Sequence, residues 1–253
     1  MIVMRHIPQK IPTLQDIAMP DEITDHAMAL DRGVVMFVGA VGTGKSTSMA
    51  SIIQHRLQAN PSETFVSGEE PIEFTYDDAD ASVFQMEVGR NIGSFKQSIR
   101  NFLRQTPSIY LLGEARDAES IDMVIRAGSV GPLVFTTGHA KDIVSTIPRL
   151  VGEYELQERD TALETIIEGL NMIVSQTLVP SVCGTKRVAL REYLIMTESV
   201  KEALHEATVK TVRSIMREVM RSNGVSMRTA AERAFAEGKI SEATLNKTVM
   251  AYG

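Results

Sequence analysis

Gly39-Ala40-Val41-Gly42-Thr43-Gly44-Lys45-Ser46-Thr47 is the stretch that decides the fold. It follows the unbroken apolar run Gly33-Val34-Val35-Met36-Phe37-Val38, which has the composition of a strand buried on both faces. After it, Met49, Ile52, Ile53 and Leu57 recur at helical spacing, so residues 48–57 read as a helix. A strand, a glycine-rich turn and a helix in this order form a phosphate-binding loop. The glycines let the backbone curl, successive N–H groups point inward, and the helix N-terminus adds its positive end. Gly39, Val41, Gly42, Thr43, Gly44 and Thr47 make up this cradle. Lys45 should reach the β- and γ-phosphates, while the Ser46 hydroxyl should ligate Mg²⁺. The pattern implies binding of a nucleoside triphosphate, ATP, with Mg²⁺.

Outward from this loop the chain alternates strand and helix. Strands are expected at 64–67, 108–112 and 133–137, and helices at 94–104, 118–127, 143–150 and 161–170. Two apolar runs, 172–179 and 188–195, read as closing strands around a turn at Cys183-Gly184. Alternation of this kind predicts an α/β fold with a mainly parallel sheet. Pro8, Pro12 and Pro20 make residues 1–32 a linker-like segment with a short helix near residues 21–30. Past Thr197 the pattern turns helical. Val209, Val212, Met216, Val219 and Met220 share one face, Asn223-Gly224 is a C-terminal stop, and Ser226 and Ser241 are N-caps. The Met-rich face reads as packing rather than a binding groove. Three units are therefore expected: a linker at 1–32, an ATPase core at 33–197 and a helical subdomain at 198–253.

At 253 residues, 43% hydrophobic and 23% charged, the chain suits a soluble globular domain with one sizeable core. No apolar run approaches the ~20 residues that span a bilayer, so membrane association should be peripheral. Cys183 is the one cysteine, which excludes an internal disulfide and favours a cytoplasmic location. A net charge of −6 argues against nonspecific nucleic-acid binding.

In a parallel sheet, ligands sit at the carboxyl ends of the strands. Glu69, Glu70, Glu114 and His139 are expected there. Cleaving a γ-phosphate needs a group that orients or deprotonates water, and Glu114, just after the strand 108–112, is the first choice. Its competing role is that of ion-pair partner to Arg116. Glu69 and Glu70 are alternatives as base or water-mediated Mg²⁺ contacts, and His139 is placed to sense the γ-phosphate. Arg90, Arg104 and Arg116 are candidates for fingers that neutralise phosphate charge across a subunit boundary.

In this order the motifs resemble the hexameric secretion ATPases of the type II secretion, type IV pilus and type IV secretion superfamily. Glu69-Glu70-Pro71-Ile72-Glu73-Phe74 resembles that family's acidic box, and Leu111-Leu112-Gly113-Glu114-Ala115-Arg116-Asp117 resembles its atypical strand motif. Gly131-Pro132-Leu133-Val134-Phe135-Thr136-Thr137-Gly138-His139 resembles its histidine box. Residues 178–181 and 187–194 are most similar to the type IVB secretion and conjugative-transfer branch. Two positions depart from the family, Pro132 for the first His of the box and Gly138 for a Leu. Glu70 stands where Asp is usual.

The resemblance implies a RecA-like core, ATP hydrolysis between subunits of a homo-hexamer, and partners among inner-membrane secretion or conjugation components at the cytoplasmic face. Residues 5–14 resemble the linker to an N-terminal domain. The expectation is a motor domain lacking that domain, monomeric or weakly associating, with low turnover. Three other readings compete: a nucleic-acid-translocating motor, a small-molecule kinase, and a weakly hydrolysing nucleotide-dependent assembly scaffold.

Overall fold

The computed structural model describes residues 10–76, 82–102 and 105–252. β1 (Gly33–Val38) is buried at every position. Side chains alternate along a strand, so an unbroken apolar run needs an apolar layer on each side. Val34, Met36 and Val38 enter one core cluster; Val35 and Phe37 enter the other.

Among the described residues, seven strands form one sheet in the order β3-β2-β4-β5-β1-β6-β7. The others are β2 (Thr64–Glu69), β3 (Ser82–Glu87), β4 (Ile109–Leu112), β5 (Leu133–Gly138), β6 (Leu170–Pro180) and β7 (Arg187–Ile195). All neighbours run parallel except β6 and β7, the expected closing hairpin. The mainly parallel α/β fold is as the sequence predicts. The edge strand β3 was not anticipated. It is half-exposed, with Phe84 open to solvent, and its mixed Ser-Val-Phe-Gln-Met-Glu composition gives a weak strand signal.

One face of the sheet carries α1 (Asp21–Ala29), α2 (Lys45–Ala59) and the buried side chains of Ile11, Leu14 and Met19. The other carries α3 (Phe95–Phe102), α4 (Ala118–Val130), α5 (Ile143–Gly152) and α6 (Arg159–Gly169). In α3, Ile99 is buried as expected; Leu103 and Arg104 lie outside the described residues.

Of the C-terminal helices, α7 (Glu198–His205) and α8 (Val212–Asn223) add Val200, Leu204, Val212, Met216, Val219 and Met220 to that second core cluster. The Met-rich face is thus packing. Ser226 and Ser241 accept from the N–H groups of Thr229 and Thr244 at the starts of α9 (Met227–Ala236) and α10 (Glu242–Tyr252). These two helices enclose a smaller cluster with Leu190 of β7. Among the described residues no helix is long and apolar enough to cross a membrane.

Candidate active site

Three glycines curl the loop after β1. Gly39, Gly42 and Gly44 have φ of 137°, 78° and 84°, values that side chains rarely adopt. At Gly39 a Cβ would also stand 2.6 Å from the Gln176 carbonyl oxygen. Gly44 caps α2, which therefore starts at Lys45, three residues earlier than the apolar rhythm suggests. The first N–H groups of α2 have no helical partners and face the loop. Lys45 is 9% exposed, and its Nζ donates to the carbonyls of Gly39 and Ala40 at 2.8 and 2.9 Å. Burial lowers its pKa, while the charges of Glu114 and Glu73 oppose that shift. Ser46 and Thr47 are half-buried in the first turn of α2, and Val41 is exposed at the loop tip.

The strand order brings the other groups here. β5 lies between β1 and β4, with Val38 level with Gly138 and Leu112 level with Thr136. Residues just past the ends of β4 and β5 therefore stand side by side, next to the phosphate loop. Thr137 Oγ1 donates to the Gly113 carbonyl at 2.6 Å, and the Ala115 N–H donates to the Thr137 carbonyl at 3.0 Å. On this frame Glu114 Oε1 meets His139 Nε2 at 2.6 Å, and Oε2 meets Arg116 Nε at 2.7 Å. The Glu114 side chain is 13% exposed, whereas Arg116 is 67% exposed. Beside them a cavity of about 300 Å³ runs from Glu114 and His139 to Arg149 on α5 and Glu153 just past its end. A half-buried carboxylate between an imidazole and a guanidinium, within electrostatic reach of a loop lysine, can hold and deprotonate a water.

The profile of the family described as "Type II/IV secretion system protein" matches residues 1–247. The chain belongs to that family. Among relatives of this secretion family, the type IV pilus ATPase PilU of Pseudomonas aeruginosa is 30% identical over 239 residues, which are 94% of this chain and 62% of PilU. The crystal structure of the Legionella pneumophila ATPase DotB is 36% identical with a TM-score of 0.90, covering 97% of this chain and 67% of DotB. The pilus retraction motor PilT, solved with bound ADP, is 27% identical with a TM-score of 0.85, covering 96% of this chain and 68% of PilT. The chain thus spans about six-tenths of the length of PilU. The core is RecA-like, as the resemblance implied, and the likeness to DotB supports a DotB-like branch of the family.

The remaining expected residues of this secretion-family site fall in different places. Glu69 is 8% exposed and accepts from Ser67 Oγ at 2.6 Å and Gln85 Nε2 at 3.2 Å, inside the β2–β3 layer. Burial raises its pKa against those hydrogen bonds. Glu70 is exposed, and its charge reaches Arg116, whose pKa is raised first by the Glu114 hydrogen bond. Arg90 is exposed in the turn after β3 and forms no ion pair among the described residues; Arg104 lies outside them. The structure thus joins Glu114, His139 and Arg116, with Glu70 within electrostatic reach of Arg116.

Two residues of the site had been given no role. Glu73 acts electrostatically on both Lys45 and Glu69; its signal was its place in the same acidic box, beyond Pro71. Gln176 donates through Nε2 to the Thr43 carbonyl at 2.7 Å and had no sequence signal. Among the described residues no three acidic, His or Cys side chains cluster as a metal site. A single hydroxyl at Ser46 fits Mg²⁺, which takes most of its ligands from water and phosphate.

Proposed function

We propose that this chain is the ATP-hydrolysing motor part of a type IV secretion, conjugation or pilus machine. The observation that carries the reading is the phosphate loop curled round Lys45 with Glu114 and His139 on the next two strand ends. The ADP bound in the PilT structure and the ATPase names of PilU and DotB support it.

In this reading Lys45 exchanges the Gly39 and Ala40 carbonyls for β- and γ-phosphate oxygens, and the loop N–H groups hold the rest. The Ser46 hydroxyl would hold Mg²⁺, which when bound would supply charge neutralisation at the terminal phosphates. Glu114 gives up one of its two partners to accept a proton from the attacking water. Arg116 is the more exposed partner and the easier to displace. His139 stays on the other carboxylate oxygen, fixes its orientation, and faces the γ-phosphate side. Arg116, and Arg90 and Arg104 with it, serve a neighbouring subunit's nucleotide. The assembly is a homo-hexamer at the cytoplasmic face of the inner membrane, peripheral and bound to membrane components of the machine. Within the chain, 33–197 form the ATPase core, 1–32 the linker and 198–253 the helical subdomain. Alone, the chain associates weakly and turns over slowly.

A nucleotide-dependent scaffold is the second reading, because both Glu114 oxygens are occupied by side chains. Steady-state phosphate release with parallel ATP titrations separates the two. Lys45→Ala should weaken ATP binding by roughly 100-fold. Glu114→Gln should lower kcat by about 10² to 10⁴ with affinity within a few-fold. Full turnover in Glu114→Gln would overturn the assignment of Glu114, and absence of turnover in the wild type at every concentration would favour the scaffold.

A further inference from the structure

On the α1–α2 side of the sheet lies a buried polar cluster that this chemistry does not use. Gln176 on β6 and Arg191 on β7 are direct partners across the antiparallel pair. Gln176, Arg191 and Ser48 of α2 are 3%, 3% and 1% exposed. Arg191 Nε donates to Gln176 Oε1 at 2.8 Å, and its Nη2 donates to Ser48 Oγ at 3.2 Å. Ser48 Oγ in turn donates to the same Oε1 at 2.8 Å. A guanidinium has no acceptor, so the amide oxygen must face Arg191 and the amide N–H₂ must face the Thr43 carbonyl of the phosphate loop.

The other arm of Arg191 reaches the linker. Its Nη1 donates to the carbonyls of Ile17 and Ala18 at 3.1 and 3.0 Å. Ala18 has φ of 46°, a left-handed conformation that a Cβ-bearing residue holds only when its surroundings enforce it. Reciprocal bonds between Thr13 and Asp16, and the buried side chains of Leu14 and Met19, complete that turn. Burial is the one influence on the Arg191 pKa, lowering it to about 10, so the group stays charged at neutral pH. A charge buried with no carboxylate partner among the described residues is costly, and its fork of donors is divided between the Gln176 and Ser48 side chains and the backbone of the linker turn.

We propose that Arg191 is a positioning residue of the nucleotide site. Through Gln176 it sets Thr43 and hence the phosphate loop, and through Ile17 and Ala18 it ties that loop to the strained linker turn. Loop and linker then respond together to nucleotide, and by thermodynamic reciprocity linker displacement changes nucleotide affinity by the same factor. The proposal deepens the nucleotide reading and rests on it.

Hydrogen exchange with and without ADP, alongside ADP titration calorimetry, tests the tie on the whole chain. In the wild type, ADP should slow exchange at residues 13–19 as well as at 39–45. Arg191→Met should bind ADP roughly tenfold more weakly and lose the ADP-dependent protection at 13–19 while keeping it at 39–45. Arg191→Lys, which keeps the charge but cannot span both segments, should lose the same linker protection, and it carries the test should Arg191→Met fail to fold. A role in stability alone would lower the melting temperature and leave ADP-dependent protection of the linker intact, which overturns the proposal. So does a wild type in which ADP protects 39–45 and leaves 13–19 unchanged. A wild type that binds no ADP overturns the nucleotide reading itself, and the tie with it.

Discussion

Glu192→Gln should remove a pH-dependent weakness built into the fold. Glu192 lies on β7, 7% exposed, with its Oε2 3.5 Å from the Ile143 N–H at the start of α5. Burial raises its pKa from 4.5 to about 7; the Ile143 N–H opposes the shift and the nearby Asp142 carboxylate adds to it. Between those two values the folded chain keeps a proton that the unfolded chain has released. Stability therefore falls as pH rises from 4.5 to about 7 and is level on either side. At about 1.36 kcal/mol per unit, the gap sets a ceiling of about 3 kcal/mol. For a chain of this size that is a melting-temperature change of roughly 6–12 °C. Glutamine keeps the shape and the contact with Ile143 but cannot ionise. Urea unfolding of both proteins from pH 4.5 to 8 isolates the effect, since every other titrating group cancels in the difference. The curves should coincide near pH 4.5 and separate, with the variant more stable, up to about pH 7. Parallel curves across that window would refute the reasoning.

Gly39→Ala meets both a φ of 137° and the Gln176 carbonyl at 2.6 Å, so it should cost roughly 2 kcal/mol and weaken ADP binding. Urea unfolding and ADP titration check it. Met216→Ala empties a site with 0% exposure between α8 and the main core, and about 2–4 kcal/mol should be lost. A loss under about 1 kcal/mol would show that the core does not depend on α8. Cys183 is exposed in the β6–β7 turn, where the hydroxyls of Ser181 and Thr185 lower its pKa to about 6. Its alkylation by iodoacetamide should rise with a midpoint near that pH, and Ser181→Ala should move the midpoint upward.

Much of the fold was legible because its signals are local. The run 33–38, hydrophobic at every position, could only be a strand covered on both sides, and the glycines after it could only be a curled turn. The closing hairpin was plain from the apolar runs 172–179 and 188–195, and the Met-rich face of α8 from helical spacing. β3 was not, because a half-exposed edge strand carries no clear hydrophobic alternation. The start of α2 was placed late because the rule of apolar spacing does not see a glycine cap. At the site, Lys45 and Ser46 were visible from the phosphate-loop motif, and Glu114 and His139 as strand-end residues. Glu69 was visible as well, but its burial against Ser67 and Gln85 was not.

By itself, then, the sequence determined most of the strands and helices, where the phosphate loop lies, and which family the motifs resemble. Tertiary structure alone decided that β5 threads between β1 and β4, so that Glu114 and His139 meet although 25 positions separate their numbers. It alone decided that Ala18, Ser48, Gln176 and Arg191 close one network. Periodicity and turn chemistry act over a few neighbouring residues, whereas sheet order and cross-strand register are set by how whole elements bury their faces. Contacts that depend on that order are therefore decided only when the core assembles.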